Sequence, residues 1–240
     1  LAFYKLCKAK DIKQVPFLLD YSNEKKEIRI KYISGIKPKT LTKLFLNQVS
    51  IFLSDLNKNN PNLLPNAGEA ILTNTCLYGH LENRLNQIGI KGEHHPKGLA
   101  IKVEKIINIL KKTSIDLGGI VINPSDLGLH NMILNNRNLF FYDFEYAGKD
   151  SYLKLLVDFC LHPVNNIDFN NFESYNKIFA KALDIKPLKL SNLVIQAFCL
   201  WWVMRLINSM KEEVISARVS RGLINQNDIS SYVDKRSKQK

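Results

Sequence analysis

The sequence predicts an α+β chain, mostly helical, with its few strands short and gathered around one hairpin. Three observations carry this. Glu27-Ile28-Arg29-Ile30-Lys31-Tyr32-Ile33 alternates polar and apolar residues, as a half-buried strand does. Leu41, Leu44, Phe45, Val49, Phe52, Leu53 and Leu56 fall on one face of a helix. Met132-Ile133-Leu134 and Leu139-Phe140-Phe141-Tyr142 are short apolar runs on either side of Asn135-Asn136-Arg137-Asn138, which is turn chemistry.

In chain order, Leu1 to Lys10 reads as the end of a helix, and Val15-Pro16-Phe17-Leu18-Leu19 opens a strand region. The alternating strand from Glu27 ends at Ser34-Gly35. The helix after it has Thr40 or Thr42 as its N-cap, because a hydroxyl there can accept from an otherwise unpaired first-turn N–H. A second helix is expected from about Ala67 into Leu85. A third is expected over Leu99 to Lys112, with Val103, Ile106, Ile107 and Leu110 inward, before Gly118-Gly119-Ile120-Val121-Ile122 leads into the Asn-rich hairpin. Further helices are expected from Asp150 to Pro163 and from Ser191 to Met210.

Composition sets bounds on function. At 240 residues, with 45% hydrophobic and 23% charged, the chain can bury a substantial core. Its 34 Lys and Arg against 22 Asp and Glu give a formal charge of +12, which suits a nucleic acid, an anionic membrane surface or an anionic nucleotide. The lysines are scattered among abundant Asn and Ile, so a compositional bias accounts for them and no nucleic-acid partner is expected. Asp234 to Lys240 reads as a solvated terminus. Cys7, Cys76, Cys160 and Cys199 have neither disulfide nor zinc-site spacing, so reduced thiols are expected. His94-His95 lies in a polar stretch without a third ligand and reads as a loop. No run reaches transmembrane length, and a cytoplasmic protein fits.

The chemistry-bearing stretch is Ser125-Asp126-Leu127-Gly128-Leu129-His130-Asn131, followed after the hairpin by Asp143-Phe144-Glu145-Tyr146-Ala147-Gly148. Kinase-type phosphoryl transfer needs a carboxylate to receive the acceptor hydroxyl's proton, plus an amide oxygen and a second carboxylate to hold Mg²⁺ on the ATP phosphates. Asp126, Asn131 and Asp143 are those types. The hairpin's turn is its closed end, so Asn131 and Asp143 should meet at the open end, near enough to share an ion that uses oxygen ligands.

These residues resemble the signature of the aminoglycoside phosphotransferase and choline/ethanolamine kinase superfamily, H-x-D-x-x-x-x-N followed by a strand ending in I-D-F/W-E, and the likeness covers most of the chain. It implies a protein-kinase-like fold: a remnant of the N-terminal lobe sheet and hinge over residues 1–35, and a mostly helical C-terminal lobe with a short catalytic β-hairpin over 36–240. It implies an ATP-dependent phosphotransferase acting on a small hydroxylated substrate such as an amino alcohol, a sugar or an aminoglycoside-like acceptor. Asp126 falls on the catalytic base, and Asn131 and Asp143 on the Mg²⁺ ligands. Glu145 supports that site. The backbone of Lys31, Tyr32 and Ile33 looks like the hinge that receives adenine, with Lys31 where the family has Glu. Pro124 stands where the family has His, a change expected to alter loop support rather than chemistry.

Tyr146, Phe198 and Trp201 look like the aromatic walls with which choline kinases box a quaternary ammonium. The acidic residue of that box falls near His162, and aromatic residues at helical spacing also make ordinary core. Asp158 either anchors the catalytic loop or sits half exposed on its helix. A kinase site also needs a Gly-rich phosphate hairpin and a strand Lys paired with a helix Glu, and none precedes Leu1. The chain therefore reads as starting near the end of the small lobe's helix, as a fragment or trimmed form expected to turn over poorly alone. The alternative is a catalytically inactive kinase-like binding module.

Overall fold

The computed structural model describes residues 1–88 and 98–209; the His94-His95 pair and the basic tail lie outside them. In chain order the elements are α1 (Ala2–Ala9), β1 (Leu18–Ser22), β2 (Glu27–Ile30), α2 (Lys43–Asn57), α3 (Asn74–Ile88), α4 (Leu99–Leu110), β3 (Ile120–Asn123), β4 (Met132–Asn135), β5 (Asn138–Phe141), β6 (Gly148–Ser151), α5 (Tyr152–Leu161), α6 (Phe172–Ala182) and α7 (Asn192–Ser209). They fall into two compact units. One comprises Leu1–Leu72 with Leu117–Leu188, and the other Thr73–Asp116 with the segment from Lys189.

The first unit is organised by three antiparallel two-stranded ladders, β1–β2, β3–β6 and β4–β5. The expected hairpin is β4–β5, with Met132 opposite Phe141 and Asn135 opposite Asn138. The expected strand from Glu27 pairs only as far as Ile30, after which the chain runs on until Ile36 exchanges two backbone hydrogen bonds with Leu134 of β4, 3.1 and 2.8 Å long. That pairing leaves no room for a side chain at Gly35, where a Cβ would stand 2.4 Å from the Leu134 carbonyl oxygen.

Helix α2 holds two of the ladders at once. Thr42 caps it, Oγ1 accepting from the Phe45 N–H, and Phe45, Val49, Phe52, Leu53 and Leu56 form the buried stripe that the periodicity predicts. Leu44, expected on the same face, is half exposed instead. Phe52 stacks on Phe141 of β5, ring centroids 4.3 Å apart and nearly parallel. Gln48 receives the Leu139 N–H and donates to the Arg137 carbonyl, and Asn57 receives the Ile122 N–H at 2.7 Å and donates to the Ile122 carbonyl. Two amide side chains, about 14 Å apart along one helix at 1.5 Å per residue, therefore act as extra strand partners for β5 and β3.

The expected helix from Ala67 starts later, at Asn74. Residues before it are drawn into the β6 edge instead: Ala67 N–H donates to the Lys149 carbonyl, Gly68 N–H to the Tyr146 carbonyl, and Ile71 N–H to the Asp150 carboxylate. A backbone donor already satisfied by a neighbouring strand gains nothing from turning helical. In the second unit, α3, α4 and α7 pack together. Leu77, Leu81, Val103, Phe198, Trp201 and Val203 are fully buried there, and Lys111 pairs with Glu82 at 2.7 Å. Among the described residues no helix is long and apolar enough to cross a membrane.

Candidate active site

Two ladders frame the site. Asn123 ends β3 opposite Gly148, the first residue of β6, and Met132 begins β4 opposite Phe141, the last of β5. The segments 124–131 and 142–147 therefore run between two fixed ends. Cross-links tie them along the way: Ser125 Oγ donates to the Tyr146 carbonyl at 2.8 Å, Tyr142 N–H to the Asn131 carbonyl at 3.1 Å, and Tyr142 OH to the His130 carbonyl at 2.5 Å. Ser125 and Asp143 both adopt left-handed backbone, φ 67°, which costs a residue with a Cβ roughly 1–3 kcal/mol and is held here by the surrounding bonds.

Asp126 lies between two imidazoles. His162 Nε2 is 3.0 Å from its Oδ1 and His130 Nε2 is 3.6 Å from its Oδ2, and the two rings stack with centroids 5.2 Å apart. Burial alone would raise the carboxyl's pKa, but hydrogen bonding and charge from His130 and His162 outweigh it and hold the group well below the usual carboxylate range. Asn131 is buried, its amide nitrogen donating to the Asp126 carbonyl at 3.2 Å, which leaves Oδ1 to meet a ligand. Asp143 is exposed, and its pKa is raised by partial burial and by the charges of Glu145 and Asp126. Its neighbour Phe144 packs under Phe3, Tyr4 and Phe52, and the Asp143 backbone sits beside the Tyr4 hydroxyl, whose pKa burial pushes up to about 12.

This donor set fits Mg²⁺. An amide oxygen and an exposed carboxylate that carries excess negative charge offer the oxygen ligands the ion prefers, and a cation would relieve the repulsion that raises Asp143. The cluster of Asp126, His130 and His162 also has three ligand atoms within 4.8 Å of one another. Its outer shell argues against a metal there. An imidazole that binds metal through Nε2 gives its Nδ1–H to an acceptor. His162 Nδ1 instead receives the Val164 N–H at 3.3 Å, and His130 Nδ1 is buried without a hydrogen-bond partner.

The loop's supports were only partly foreseen. Asn165 receives the Leu129 N–H and donates to the carbonyls of Leu127 and Phe159, each at 3.0 Å. Asn123 receives the Ser125 N–H at 2.8 Å and donates to the buried Asp150. Asp158 pairs with Lys154, one turn earlier on α5, in a buried ion pair. His130, His162, Asn165, Asn123 and Asp150 are residues around the candidate site to which sequence reasoning gives no part in it: His130 lies within the motif itself, and His162 enters only as the position where the resemblance puts an acidic residue.

The remaining expected residues are placed as follows. Where a hinge is expected, the Lys31 N–H is committed to the Phe17 carbonyl at 2.8 Å, and Tyr32 is 86% exposed. Leu134, to which this strand is tied, lies three residues beyond Asn131, about 10 Å along an extended chain. Glu145 is exposed, and the half-exposed ring of Tyr146 lies over Gly68, where a Cβ would come within 2.8 Å of it. Phe198 and Trp201 are on α7 in the second unit, fully buried, with the guanidinium groups of Arg84 and Arg205 over the Trp201 ring.

Neither a scan against protein-family models nor a search of curated proteins finds a match. Solved structures do match. A choline/ethanolamine kinase family protein from Mesorhizobium loti is 13% identical, with 98% of this chain and 76% of that one covered at a TM-score of 0.59. The choline kinase LicA from Streptococcus pneumoniae is also 13% identical, over 98% and 78% at 0.61. A spectinomycin phosphotransferase, crystallised with ADP and spectinomycin, is 13% identical over 98% and 81% at 0.57. At such identities the likeness is one of architecture: the chain shares the kinase-like fold of these structures.

Proposed function

We propose that this chain transfers the γ-phosphoryl group of ATP to a hydroxyl of a small molecule. The observation that supports the proposal is the cross-linking of the two segments that carry Asp126, Asn131 and Asp143, with the stretch after β2 tied to the same hairpin through Ile36 and Leu134. Asn131 Oδ1 and the Asp143 carboxylate would hold Mg²⁺, with Glu145 adding negative charge beside it. The ion, when bound, neutralises phosphate charge and fixes the phosphates' orientation. The backbone of Lys31 to Ile33 receives the adenine.

Asp126 accepts a hydrogen bond from the acceptor hydroxyl and points its oxygen at phosphorus. As the new O–P bond forms, the bond from phosphorus to the β–γ bridging oxygen breaks, ADP leaves, and the hydroxyl proton passes to Asp126 and on to water. Its service is orientation of the hydroxyl, with proton transfer late, as in kinase-type phosphoryl transfer. Tyr146, half exposed two residues after the Asp143–Phe144 pair, is the aromatic surface open to an acceptor.

The test is a comparison of three proteins, each supplied with the small-lobe elements that cover the phosphates, for Mg·ATP binding and for transfer of labelled phosphate into a panel of amino alcohols, sugars and aminoglycosides. Asp126→Asn should bind Mg·ATP as the parent does and lose turnover severely, whereas Asp143→Ala should weaken Mg·ATP binding too. Equal turnover by Asp126→Asn and the parent would remove Asp126 from the chemistry. Binding without transfer to any acceptor would favour a non-catalytic binding module.

A further inference from the structure

We propose that His162 is the positioning residue for Asp126, fixing the Oδ1 edge of the carboxylate so that Oδ2 is the oxygen offered to the acceptor hydroxyl. This rests on the phosphotransferase reading and adds to it a residue from outside the motif.

The argument begins with the tautomer. Neutral imidazole has one donor nitrogen and one acceptor. The Val164 N–H points at Nδ1 at 3.3 Å, which makes Nδ1 the acceptor and puts the ring's proton on Nε2, 3.0 Å from Asp126 Oδ1. His162 thus needs no positive charge to act. The His162 side chain is 9% exposed, so its orientation is set by packing and by the Val164 N–H on Nδ1.

The two carboxylate oxygens are not equivalent. Oδ1 is buried and, among the described residues, makes no other polar contact than the 3.0 Å approach of His162 Nε2, which is close but not yet aligned as a hydrogen bond, while the side chain as a whole keeps 27% of its surface. Oδ2 has His130 at the longer distance of 3.6 Å, and the His130 side chain is 32% exposed. An acceptor hydroxyl approaching from solvent therefore meets Oδ2.

The same turn holds the backbone on either side. His162 ends α5 and begins the Pro163–Asn165 turn, and Asn165 bonds the Leu127 carbonyl and the Leu129 N–H. Backbone and carboxylate of the catalytic loop are thus set by residues three apart on one turn. Asn165 can fix where Asp126 starts; His162 is the nearer and the more buried of the two imidazoles that face its carboxylate.

A purely structural role is separable by the position of the N–H. Glutamine carries an amide nitrogen at about the reach of Nε2, asparagine one at about the reach of Nδ1, and leucine none. His162→Leu should lower kcat roughly ten- to a hundredfold, as loss of one hydrogen bond to a charged group does. The nucleotide KM should stay within about twofold of the parent's, because the ground-state site is untouched. His162→Gln should recover most of the rate and His162→Asn should not. Glutamine no better than leucine, or a nucleotide KM that rises as kcat falls, would overturn the proposal.

A measurement that needs no turnover runs beside it on the full chain labelled with ¹⁵N-histidine. At about pH 8, where an ordinary imidazole is neutral, His162 should show a protonated Nε2 and a bare Nδ1, and Asp126→Asn should shift the Nε2 signal. A protonated Nδ1, or a ring indifferent to Asp126→Asn, overturns the proposal. A full chain that transfers phosphate neither to an acceptor nor to water sinks the phosphotransferase reading, and the NMR signals then decide the pairing of His162 with Asp126 on their own.

Discussion

Asn123 and Asp150 meet side chain to side chain at the end of the β3–β6 ladder, Asn123 Nδ2 donating to Asp150 Oδ2 at 3.1 Å, with both residues buried. Asp150 Oδ1 also receives the N–H groups of Ile71 and Ser151, each at 2.8 Å, and Asn123 Oδ1 receives that of Ser125. One buried carboxylate therefore sets the amide that sets the start of the segment carrying Asp126. Burial pushes its pKa up, against the charge of Lys154 and three donors that pull it down.

Asp150→Ala would leave three donors without their acceptor in a dry place, at roughly 1–3 kcal/mol each if none finds water. The expected outcome is a loss of at least about 3 kcal/mol in urea unfolding, with turnover falling in whatever fraction stays folded. A loss below about 1 kcal/mol, the size of an ordinary surface change, would show that the network is dispensable.

Asp126 contributes to stability with a definite sign against pH. Its folded-state pKa lies below the unfolded one, so the contribution is fully present above the ordinary Asp value of about 4 and is lost progressively as pH falls below it. Asp126→Asn removes that dependence. Thermal melts of parent and variant should differ most near neutrality and converge on acidification; parallel curves would mean that the histidines do not hold the carboxylate in solution.

Gly35→Ala tests the hinge. Its Cβ would meet the Leu134 carbonyl oxygen at 2.4 Å and Ile133 Cγ2 at 2.6 Å, and the carbonyl cannot retreat without breaking the pairing with Ile36. Nucleotide affinity should fall several-fold in a titration with Mg·ATP, and by more than the loss of the Ile36–Leu134 pairing lowers the melting temperature of this exposed stretch. Unaltered affinity would place the adenine elsewhere.

Thiol reactivity should separate the cysteines. Burial pushes the Cys7 thiol up to about 12, and Cys160 and Cys199 are buried too, whereas Cys76 is partly exposed. The thiolate is the nucleophile, so maleimide labelling of the native protein followed by peptide mapping should find Cys76 first and the others only in denaturant. Early modification of Cys7 would mean that α1 leaves its place readily.

The fold was legible where sequence and backbone periodicity coincide. The β4–β5 hairpin and the stripe on α2 are of this kind, since each is fixed by apolar spacing and by a turn or cap within a few residues. β6 was not: Gly148-Lys149-Asp150-Ser151 has no strand pattern and pairs because Asp150 and the neighbouring backbone find partners far away in sequence. The same limit applies to the site. Asp126, Asn131 and Asp143 are close along the chain and flank one hairpin, so their chemical types and spacing could be read together. His162 and Asn165 reach the loop from a turn more than thirty residues on, and a lone His or Asn after a helix carries no mark of what it will touch.

Because both segments of the site end in paired strands, Asp126 and Asp143 cannot drift apart by the fraying that loosens most loops. An excursion that separates them must first open the β3–β6 or the β4–β5 ladder, and each ladder is clamped by an amide of α2. The amide protons of Ile122, Leu139 and Tyr142 then exchange with solvent only through a larger cooperative opening, so the working geometry survives for as long as this part of the protein stays folded.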